Sequence, residues 1–286
     1  MIKVRTRKIL MACLLGFAWC AAAGNHPALA GEVIRVNGSG AALDMMTLLN
    51  DAYQKLHPET RIEMLKPLGS SGAIKALLAG ALDLAVSSKT LLPEQVSLGA
   101  QSLEFGVTPL VIVTERSVHK TDITTRELEE IYRGTANKWP DGEPIRIVLR
   151  PQTDIDTAIL RRLSPAMNSA VDTAQSRPGM VTAVTDPEAN DMIAKMPGAI
   201  GSSALCSLLV AKPPLNALSL NGVTPRVSAL ADRSYPLSKD IRFITKGAPP
   251  PAVAAFLAFI YSARGRSIAE GAGVLVTAGG PAGKNP

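Results

Sequence analysis

An α/β fold is predicted for this chain, because strand-like and helix-like segments alternate along most of its length. The first pair is typical. Residues 32–36 are rich in β-branched side chains, as a buried strand is, and residues 41–56 repeat apolar side chains every three or four positions, as a helix does. Neither an internal repeat nor a low-complexity region interrupts this pattern.

The first 30 residues have the pattern of a cleaved secretory signal peptide. Four basic residues between positions 3 and 8 precede an apolar run at 9–23 and a small-residue cleavage pattern at 28–30. This apolar run is shorter than the roughly 20 residues that span a bilayer. We therefore expect export to the periplasm and a mature chain from residue 31. A lipid anchor is the weaker interpretation, because Cys20 follows Trp19 rather than a small residue.

The net charge depends on this segment. The whole chain has 30 Lys and Arg residues and 24 Asp and Glu residues, a net charge of +6. The first 30 residues hold four of the basic residues and none of the acidic ones, so the mature chain has 26 against 24, or +2. A nucleic-acid-binding protein needs a basic face. The sequence therefore does not favour a nucleic-acid partner.

Cysteine usage indicates how the mature chain is stabilised. Only Cys206 remains after residue 30, so no internal disulfide is possible and a packed core must hold about 256 residues together. Cys206 lies in an apolar segment, which favours a buried small side chain over a reactive thiol.

The remaining elements follow in order. A small-residue loop at 69–72 precedes a helix, and Thr124 with Glu127 forms a capping box for a helix through Tyr132. Asp186-Pro187-Glu188 is expected to cap another helix, with Pro at its first position. Further helices are expected at about 157–163 and around 256–261. Strands are predicted at 61–65, 83–86, 105–113, 144–149, 199–201 and 241–244. The segments 105–113 and 241–244 are expected to cross between two lobes.

Three loops that follow predicted strands carry small polar residues: 38–40, 69–72 and 87–89. Ligands of open α/β sheets bind outside the carboxyl ends of the strands. Backbone N–H groups at a helix N-terminus, with nearby hydroxyl groups, bind anions. Arg150 ends another predicted strand and could bind an oxyanion with two donors, although a surface Arg with a solvated head is the alternative. The loops together predict an anion-binding site.

The chain resembles the phosphate-binding proteins of ABC importers, in the periplasmic-binding-protein class. The resemblance covers nearly the whole mature chain in order, and its motifs lie at 38–40, 51–53, 69–75, 83–88, 130–134 with Trp139, 145–150, 197–201 and 235–238. It implies a two-lobed, type II periplasmic-binding-protein-like fold with two hinge-crossing strands. Lobe 1 would comprise residues 31–108 and 240–286, and lobe 2 residues 109–239.

The resemblance also implies a function. The protein would capture phosphate or a similar oxyanion between the lobes, without a metal or another cofactor, and deliver it to an ABC permease in the inner membrane as a monomer. The family's contacts fall on Gly40, Ala41, Ser70, Ser88 and Arg150. With the neighbouring polar residues, the expected ligand-binding set is Ser39, Gly40, Ala41, Ser70, Ser71, Ser88, Arg150, Thr153, Asp154, Asp156 and Thr157.

The turn after Arg150 departs from the family pattern. Members often have a Gly-Ser-Gly-Thr turn there, whereas this chain has Asp154, Ile155 and Asp156 in the corresponding contact positions. Two carboxylates beside the Arg would repel a dianion. Either they accept a proton from a protonated oxyanion, or they are solvated residues at the start of a helix, favoured by its dipole.

Two other functions stay open at this point. The altered turn fits a sensor or binding module of the same fold with a different small ligand. An exported serine hydrolase would need a serine paired with His57 or His119, but no serine lies in a nucleophile-elbow motif and no metal-binding motif is present. We therefore do not expect an enzyme.

Overall fold

The computed structural model describes residues 32–277. The predicted signal peptide and the last residues, from 278, lie outside this range. Strands and helices alternate as predicted. The strands are β1 (Val33–Gly38), β2 (Arg61–Met64), β3 (Leu84–Ser87), β4 (Ala100–Glu115), β5 (Asp122–Ile123), β6 (Arg146–Leu149), β7 (Val181–Thr182), β8 (Ala199–Ala204), β9 (Leu215–Ala217), β10 (Ser219–Leu220), β11 (Ser238–Lys246) and β12 (Leu275–Val276).

The helices connect these strands. They are α1 (Gly40–Gln54), α2 (Gly69–Leu78), α3 (Pro93–Ser97), α4 (Thr125–Arg133), α5 (Ile155–Arg161), α6 (Pro165–Ser176), α7 (Asp186–Lys195), α8 (Leu205–Val210), α9 (Val227–Ala231), α10 (Pro251–Tyr261) and α11 (Ala263–Gly271). Within residues 32–277, none of them combines the length and the apolar character that crossing a membrane requires.

One large sheet runs in the order β2-β1-β3-β11-β4-β8-β6-β7. Strands β1, β2 and β3 are parallel, as are β6, β7 and β8, whereas β11 is antiparallel to both of its neighbours. Parallel strands that are joined by helices place their carboxyl ends, and the loops that follow, at one edge. The loops after β1 and β3 therefore lie side by side.

Strand β4 belongs to both parts of this sheet. Its first ten residues, 100–109, pair with β11, and residues 110–114 pair with β8. The segment before and within β11 makes the return crossing, since Leu110 N–H bonds the Leu237 carbonyl and the Tyr235 hydroxyl bonds the Leu110 carbonyl at 2.9 Å. Both predicted strands, at 105–113 and 241–244, are thus confirmed, and both are longer than the apolar pattern indicated. The return crossing itself lies just before the predicted segment, because Leu237 packs in one core cluster and Ile241 in the other.

The hydrophobic core divides along the same line. One large cluster contains Ile34, Met46, Phe105, Phe243 and Phe256. The other contains Leu110, Ile131, Trp139, Met167 and Tyr235. The two clusters meet on the crossing strands: Phe105 and Leu110 of β4 belong to different ones. This two-lobed arrangement is the architecture that the sequence predicted.

Three local predictions need correction. The serines of the 69–72 segment do not form a loop before a helix but the first turn of α2. Helix α5 begins at Ile155, two residues earlier than predicted, because Asp154 caps it by accepting the Asp156 N–H at 2.9 Å. Asp156 lies in that first turn but is fully buried, so a solvated helix-start residue is the wrong description of it.

The start of α7 needs a further correction. Asp186 does not cap this helix. Thr185 is the N-cap and forms a capping box with Glu188, while Asp186 is the first helical residue and Pro187 the second. A capping box already provides the side-chain partners at the helix start. The Asp186 carboxylate is therefore free to make contacts elsewhere.

Replacing Gly38 with Ala should destabilise the fold, because a Cβ at this position would run into the Val86 carbonyl of β3. Overpacking against a neighbouring backbone costs about 1–3 kcal/mol. Gly271 at the end of α11 is the matched control, since a Cβ there meets nothing within 4 Å. Urea unfolding should show a lower midpoint for Gly38→Ala and an unchanged or higher one for Gly271→Ala. Equal midpoints for both variants would contradict this packing argument.

Candidate functional site

Asn37, near the end of β1, holds two strand-end loops together. Its Oδ1 accepts the N–H groups of Gly38 at 2.8 Å and Leu68 at 2.9 Å, and its Nδ2 donates to the Lys66 carbonyl at 3.1 Å. Asn37 is buried, so these bonds are shielded from water. They fix the start of α2 beside the start of α1.

A second contact joins α2 to the loop after β3. The Ser70 hydroxyl accepts the Ser88 N–H at 2.9 Å, and both residues are buried. The Ser39 N–H bonds the Val86 carbonyl of β3 at 3.0 Å. Three of the serines expected at the site, Ser39, Ser70 and Ser88, therefore lie together at one edge of the sheet.

The N-terminus of α1 is bound to an acidic side chain. Ser39 is the N-cap but makes no capping bond. Its hydroxyl lies 3.5 Å from Asp186 Oδ2. The nearby Ala41 N–H helps to hold the pKa of Asp186 below its ordinary value. The start of α7 packs directly against the start of α1. A Cβ added to Gly40 would lie 2.5 Å from the Pro187 ring. The residues predicted to bind an anion at this helix start thus bind a carboxylate of the protein itself.

Lys239 of β11 is the main cation at this carboxylate. Its side chain is 1% exposed, and its Nζ lies 2.5 Å from Asp186 Oδ1 and 2.8 Å from Asp156 Oδ1. Asp156 Oδ2 in turn accepts the Ser202 hydroxyl at 3.1 Å. The Asp156 Oδ1 contact with Lys239 is an ion pair whose angles fall outside hydrogen-bond geometry. One ammonium group therefore bridges carboxylates from α5 and α7.

Arg150 completes this charged group. Its Nε and Nη2 donate to the Asp154 carboxylate at 3.4 and 3.2 Å, and Nη2 lies 3.9 Å from Asp186 Oδ2. The side chain is 5% exposed. Its Nη1 is buried and has no hydrogen-bond partner among the described residues. We call Arg150, Asp154, Asp156, Asp186 and Lys239 the charged cluster.

The charged cluster shifts the pKa values of its members. Burial opposes the charge of Asp186, but Lys239 and Arg150 outweigh it and hold the pKa of this carboxyl below its usual range. Burial likewise opposes the charges of Lys239 and Arg150, and the surrounding carboxylates keep both pKa values above the ordinary ones. Burial raises the pKa of Asp156, with Lys239 opposing the shift. With every group ionised, two cations face three carboxylates, so the cluster carries a charge of −1.

The remaining predicted residues line a small cavity beside the cluster or serve the backbone. Lys89 Nζ donates to the Ser71 hydroxyl at 2.8 Å and to the Thr153 carbonyl at 2.6 Å. The Thr157 hydroxyl donates to the carbonyls of Arg150 at 3.2 Å and Pro151 at 2.9 Å. The cavity measures about 120 Å³ and is lined by Leu68, Gly69, Ser70, Ser71, Lys89, Pro151, Thr153, Asp154 and Val184. The 570 Å³ cleft beside Trp139 has no residue of the charged cluster in its lining.

The residues predicted for the site do not include Asp186, Lys239 or Lys89. Two of these three residues have a recognisable signal in the sequence. Alternation along β11 places Lys239 on the same buried face as Ile241 and Phe243, and a charged residue in that pattern needs a buried partner. The Thr185/Glu188 capping box leaves Asp186 unused as a cap.

The residues considered for a serine hydrolase or a metal site do not lie together in the described part of the chain. The only side-chain hydrogen bond of His57 is to Glu59, its ring stacks on Tyr53, and within residues 32–277 neither His57 nor His119 is hydrogen-bonded to a serine. No group of three or more His, Cys, Asp or Glu side chains in this range is arranged to hold a metal ion.

Cys206 is a buried thiol next to the site. It is 0% exposed, and its Sγ donates to the Ala41 carbonyl at 3.3 Å. Burial raises the pKa of this thiol to about 12. The structure thus confirms a buried side chain rather than a reactive one.

Lys239→Met is expected to destabilise the protein strongly, because it leaves the Asp156 and Asp186 carboxylates buried without their cation. Breaking a buried pair in this way costs about 3–5 kcal/mol. Lys195→Met is the matched control, since Lys195 pairs with Asp191 on the surface and is 73% exposed. Loss of an exposed pair costs about 0–1 kcal/mol. Denaturant unfolding compares the two variants, and adding Asp156→Asn to Lys239→Met should recover part of the loss. Equal losses for Lys239→Met and Lys195→Met would contradict the role given to Lys239.

Cys206 should not react with a thiol reagent in the native protein at about pH 8, because a thiolate is the reactive form and this thiol is buried with a raised pKa. One thiol per mature chain should react after unfolding in denaturant. Time-resolved absorbance with a chromogenic disulfide measures both. Rapid reaction of the folded protein would contradict the burial of this side chain.

Comparison with known proteins gives the family. The family model described as a PBP superfamily domain matches residues 23–264. The phosphate-binding protein PstS of Borreliella burgdorferi is 23% identical, over 85% of this chain and 90% of its own length. The PstS of Bacillus subtilis is 24% identical, over 80% and 75% respectively.

A solved structure supports the fold. The putative phosphate ABC transporter substrate-binding protein of Clostridium perfringens, determined with bound phosphate, superposes with a TM-score of 0.74. It is 18% identical, and the alignment covers 86% of this chain and all of that protein. At this identity the superposition establishes the architecture, and the family model covers most of the sequence. The chain therefore belongs to the PBP superfamily domain family.

Proposed function

We propose that this protein is a solute-binding protein that captures phosphate, or a similar oxyanion, for an ABC importer. The observation that carries the proposal is Arg150 Nη1, a buried cationic donor without a hydrogen-bond partner among the described residues. A buried unpartnered donor costs about 1–3 kcal/mol, and more when it is charged. A ligand oxygen at Nη1 would recover this cost.

The surroundings of Arg150 support the proposal. The N-terminus of α1, the hydroxyls of Ser39 and Ser70, and the backbone at Ser88 come from loops at the same edge of the sheet. The cavity of about 120 Å³ opens between the start of α2, Lys89 and the turn after Arg150. A cavity of this size suits a small inorganic ion better than a metabolite, because pockets for organic ligands generally measure about 300–1,000 Å³. The relatives are named as phosphate-binding proteins.

We propose that the ligand contacts come from the predicted set, Ser39, Gly40, Ala41, Ser70, Ser71, Ser88, Arg150, Thr153, Asp154, Asp156 and Thr157, extended by Lys89 and Lys239. Within this set, the Thr157 hydroxyl already donates its hydrogen bond to backbone carbonyls. Its role would be to shape the turn after Arg150. Lys89 is placed to close the rim, since it joins Ser71 to the Thr153 carbonyl.

Ligand capture would involve two lobes, residues 31–108 with 240–286 and residues 109–239. The division of the core into two clusters supports these limits, with the crossing strands β4 and β11 as the hinge. Cys206 and Ala204 pack in the cluster of the first lobe although they lie in the second range, so the boundary is not a clean cut in sequence. Hinge motion about a few strand residues is how two-domain binding proteins close on a ligand.

Cellular placement follows from the sequence. The pattern of residues 1–30 supports export to the periplasm. There the protein would act as a monomer, without cofactor or metal, and pass its ligand to a permease in the inner membrane.

Calorimetric titration of the purified protein with phosphate, sulfate, molybdate and acetate tests this function. Phosphate is expected to give saturable binding, and acetate none. Arg150→Lys keeps a cation among the carboxylates but removes the Nη1 donor, and a hydrogen bond to a charged group is worth about 1.5–3 kcal/mol, or about tenfold to more than a hundredfold in affinity. We therefore expect weaker oxyanion binding by at least tenfold.

Arg161→Lys is the matched control. Arg161 lies on α5 close in sequence to Arg150 and pairs with Asp172 at 2.7 Å at the surface. Its replacement should leave affinity unchanged. The absence of binding by any oxyanion, or equal affinities for Arg150→Lys and Arg161→Lys, would refute the proposal.

A further inference from the structure

The N-terminus of α1 has an occupant of its own. The Asp186 carboxylate lies 3.5 Å from the Ser39 hydroxyl and 2.5 Å from Lys239 Nζ. It is close enough to the Ala41 N–H for that group to help lower its pKa. An oxyanion bound in the expected way would use the same donors. The carboxylate therefore takes the place that an external anion needs.

The packing around this carboxylate leaves no room for a second anion at the helix start. A Cβ on Gly40 would meet the Pro187 ring at 2.5 Å and Asp186 Oδ2 at 3.2 Å, so α7 lies directly against the first turn of α1. Asp186 is 4% exposed. An oxyanion can reach the Ala41 N–H only if the Asp186 carboxylate moves away.

The charged cluster also does not need the Asp186 carboxylate for electrical neutrality. Lys239 keeps Asp156 at 2.8 Å and Arg150 keeps Asp154 at 3.2 Å when Asp186 is set aside. The remaining two cations and two carboxylates are neutral. The start of α7 does not need Asp186 either, because Thr185 and Glu188 cap it.

From these observations we infer that Asp186 is a specificity-determining residue that competes, as an internal anion, with the external oxyanion for the N-terminus of α1. This inference rests on the proposed function and deepens it. The affinity for an external anion is then set by the difference between its binding free energy and that of the Asp186 carboxylate at the same site. The protein retains only an oxyanion that binds these donors better than the carboxylate does. A monocarboxylate offers the site no advantage over Asp186, so the device selects against carboxylate ligands.

Asp186→Asn tests the competition directly. Asn keeps the shape and a carbonyl oxygen for the Ala41 N–H but removes the charge, and the cluster becomes neutral. We expect phosphate to bind Asp186→Asn at least tenfold more tightly than the unmodified protein by calorimetry, with a larger phosphate-dependent rise in Tm. Asp186→Ser, which removes the carboxylate and frees space, should change affinity in the same direction and serves if Asp186→Asn does not fold.

Two control variants separate occupancy of the helix start from a general charge effect. Asp191→Asn removes a charge from the surface of the same helix, where Asp191 pairs with Lys195. Asp154→Asn removes a charge from the cluster itself while keeping a residue type that caps helices well. Both should raise phosphate affinity much less than Asp186→Asn does.

The outcomes are distinct. Tighter phosphate binding by Asp186→Asn, and not by the two control variants, supports the inference. This holds even if the unmodified protein binds phosphate too weakly to measure. Binding by the unmodified protein that Asp186→Asn leaves equal or weaker overturns the inference but leaves the proposed function intact. Equal gains for Asp186→Asn and Asp154→Asn overturn it in favour of a general charge effect. Absence of phosphate binding by every variant overturns both.

Discussion

The Lys239 ammonium group, buried between Asp156 and Asp186, is the interaction on which the site depends. It lies on a crossing strand and joins the first turns of two helices, α5 and α7, that begin at different strand ends. A buried ammonium ion requires paired carboxylates, and the buried carboxylates require it. Because Asp186 also lies beside Ser39 at the start of α1, this ion pair holds α7 against α1. It therefore decides which groups reach the N-terminus of α1.

The chemistry of the site follows from this arrangement. A helix N-terminus, an Arg and several serines form the edge at which we propose that an anion binds, and three carboxylates share this edge with two cations. The family to which the chain belongs explains the edge, and the turn after Arg150 explains part of the acidity. The competition that we infer for Asp186 would reconcile the two features, because the site would then bind an external anion only in exchange for its own carboxylate.

Much of the fold could be predicted from the sequence, since β1, α1, β4 and the capping box of α4 have strong local patterns. Helix α6 was missed even though Ser164 caps it and Pro165 is its first residue, because its buried face is narrow and consists of only Met167, Ala170, Val171 and Ala174. The short strands β5, β7 and β10 have two residues each, too few for any periodicity to show.

The sequence by itself determined the α/β class, the order of the main elements, the three small-residue segments that follow strands and Arg150 as the cation at a strand end. These features depend on contacts between residues that are near in sequence, and periodicity and capping signals report such contacts. Only the tertiary structure decided that Asp186 and Lys239 belong to the site. They lie 53 residues apart and are joined by an ion pair across packed elements. No local pattern encodes that distance, because it is set by how the sheet and the helices fold together.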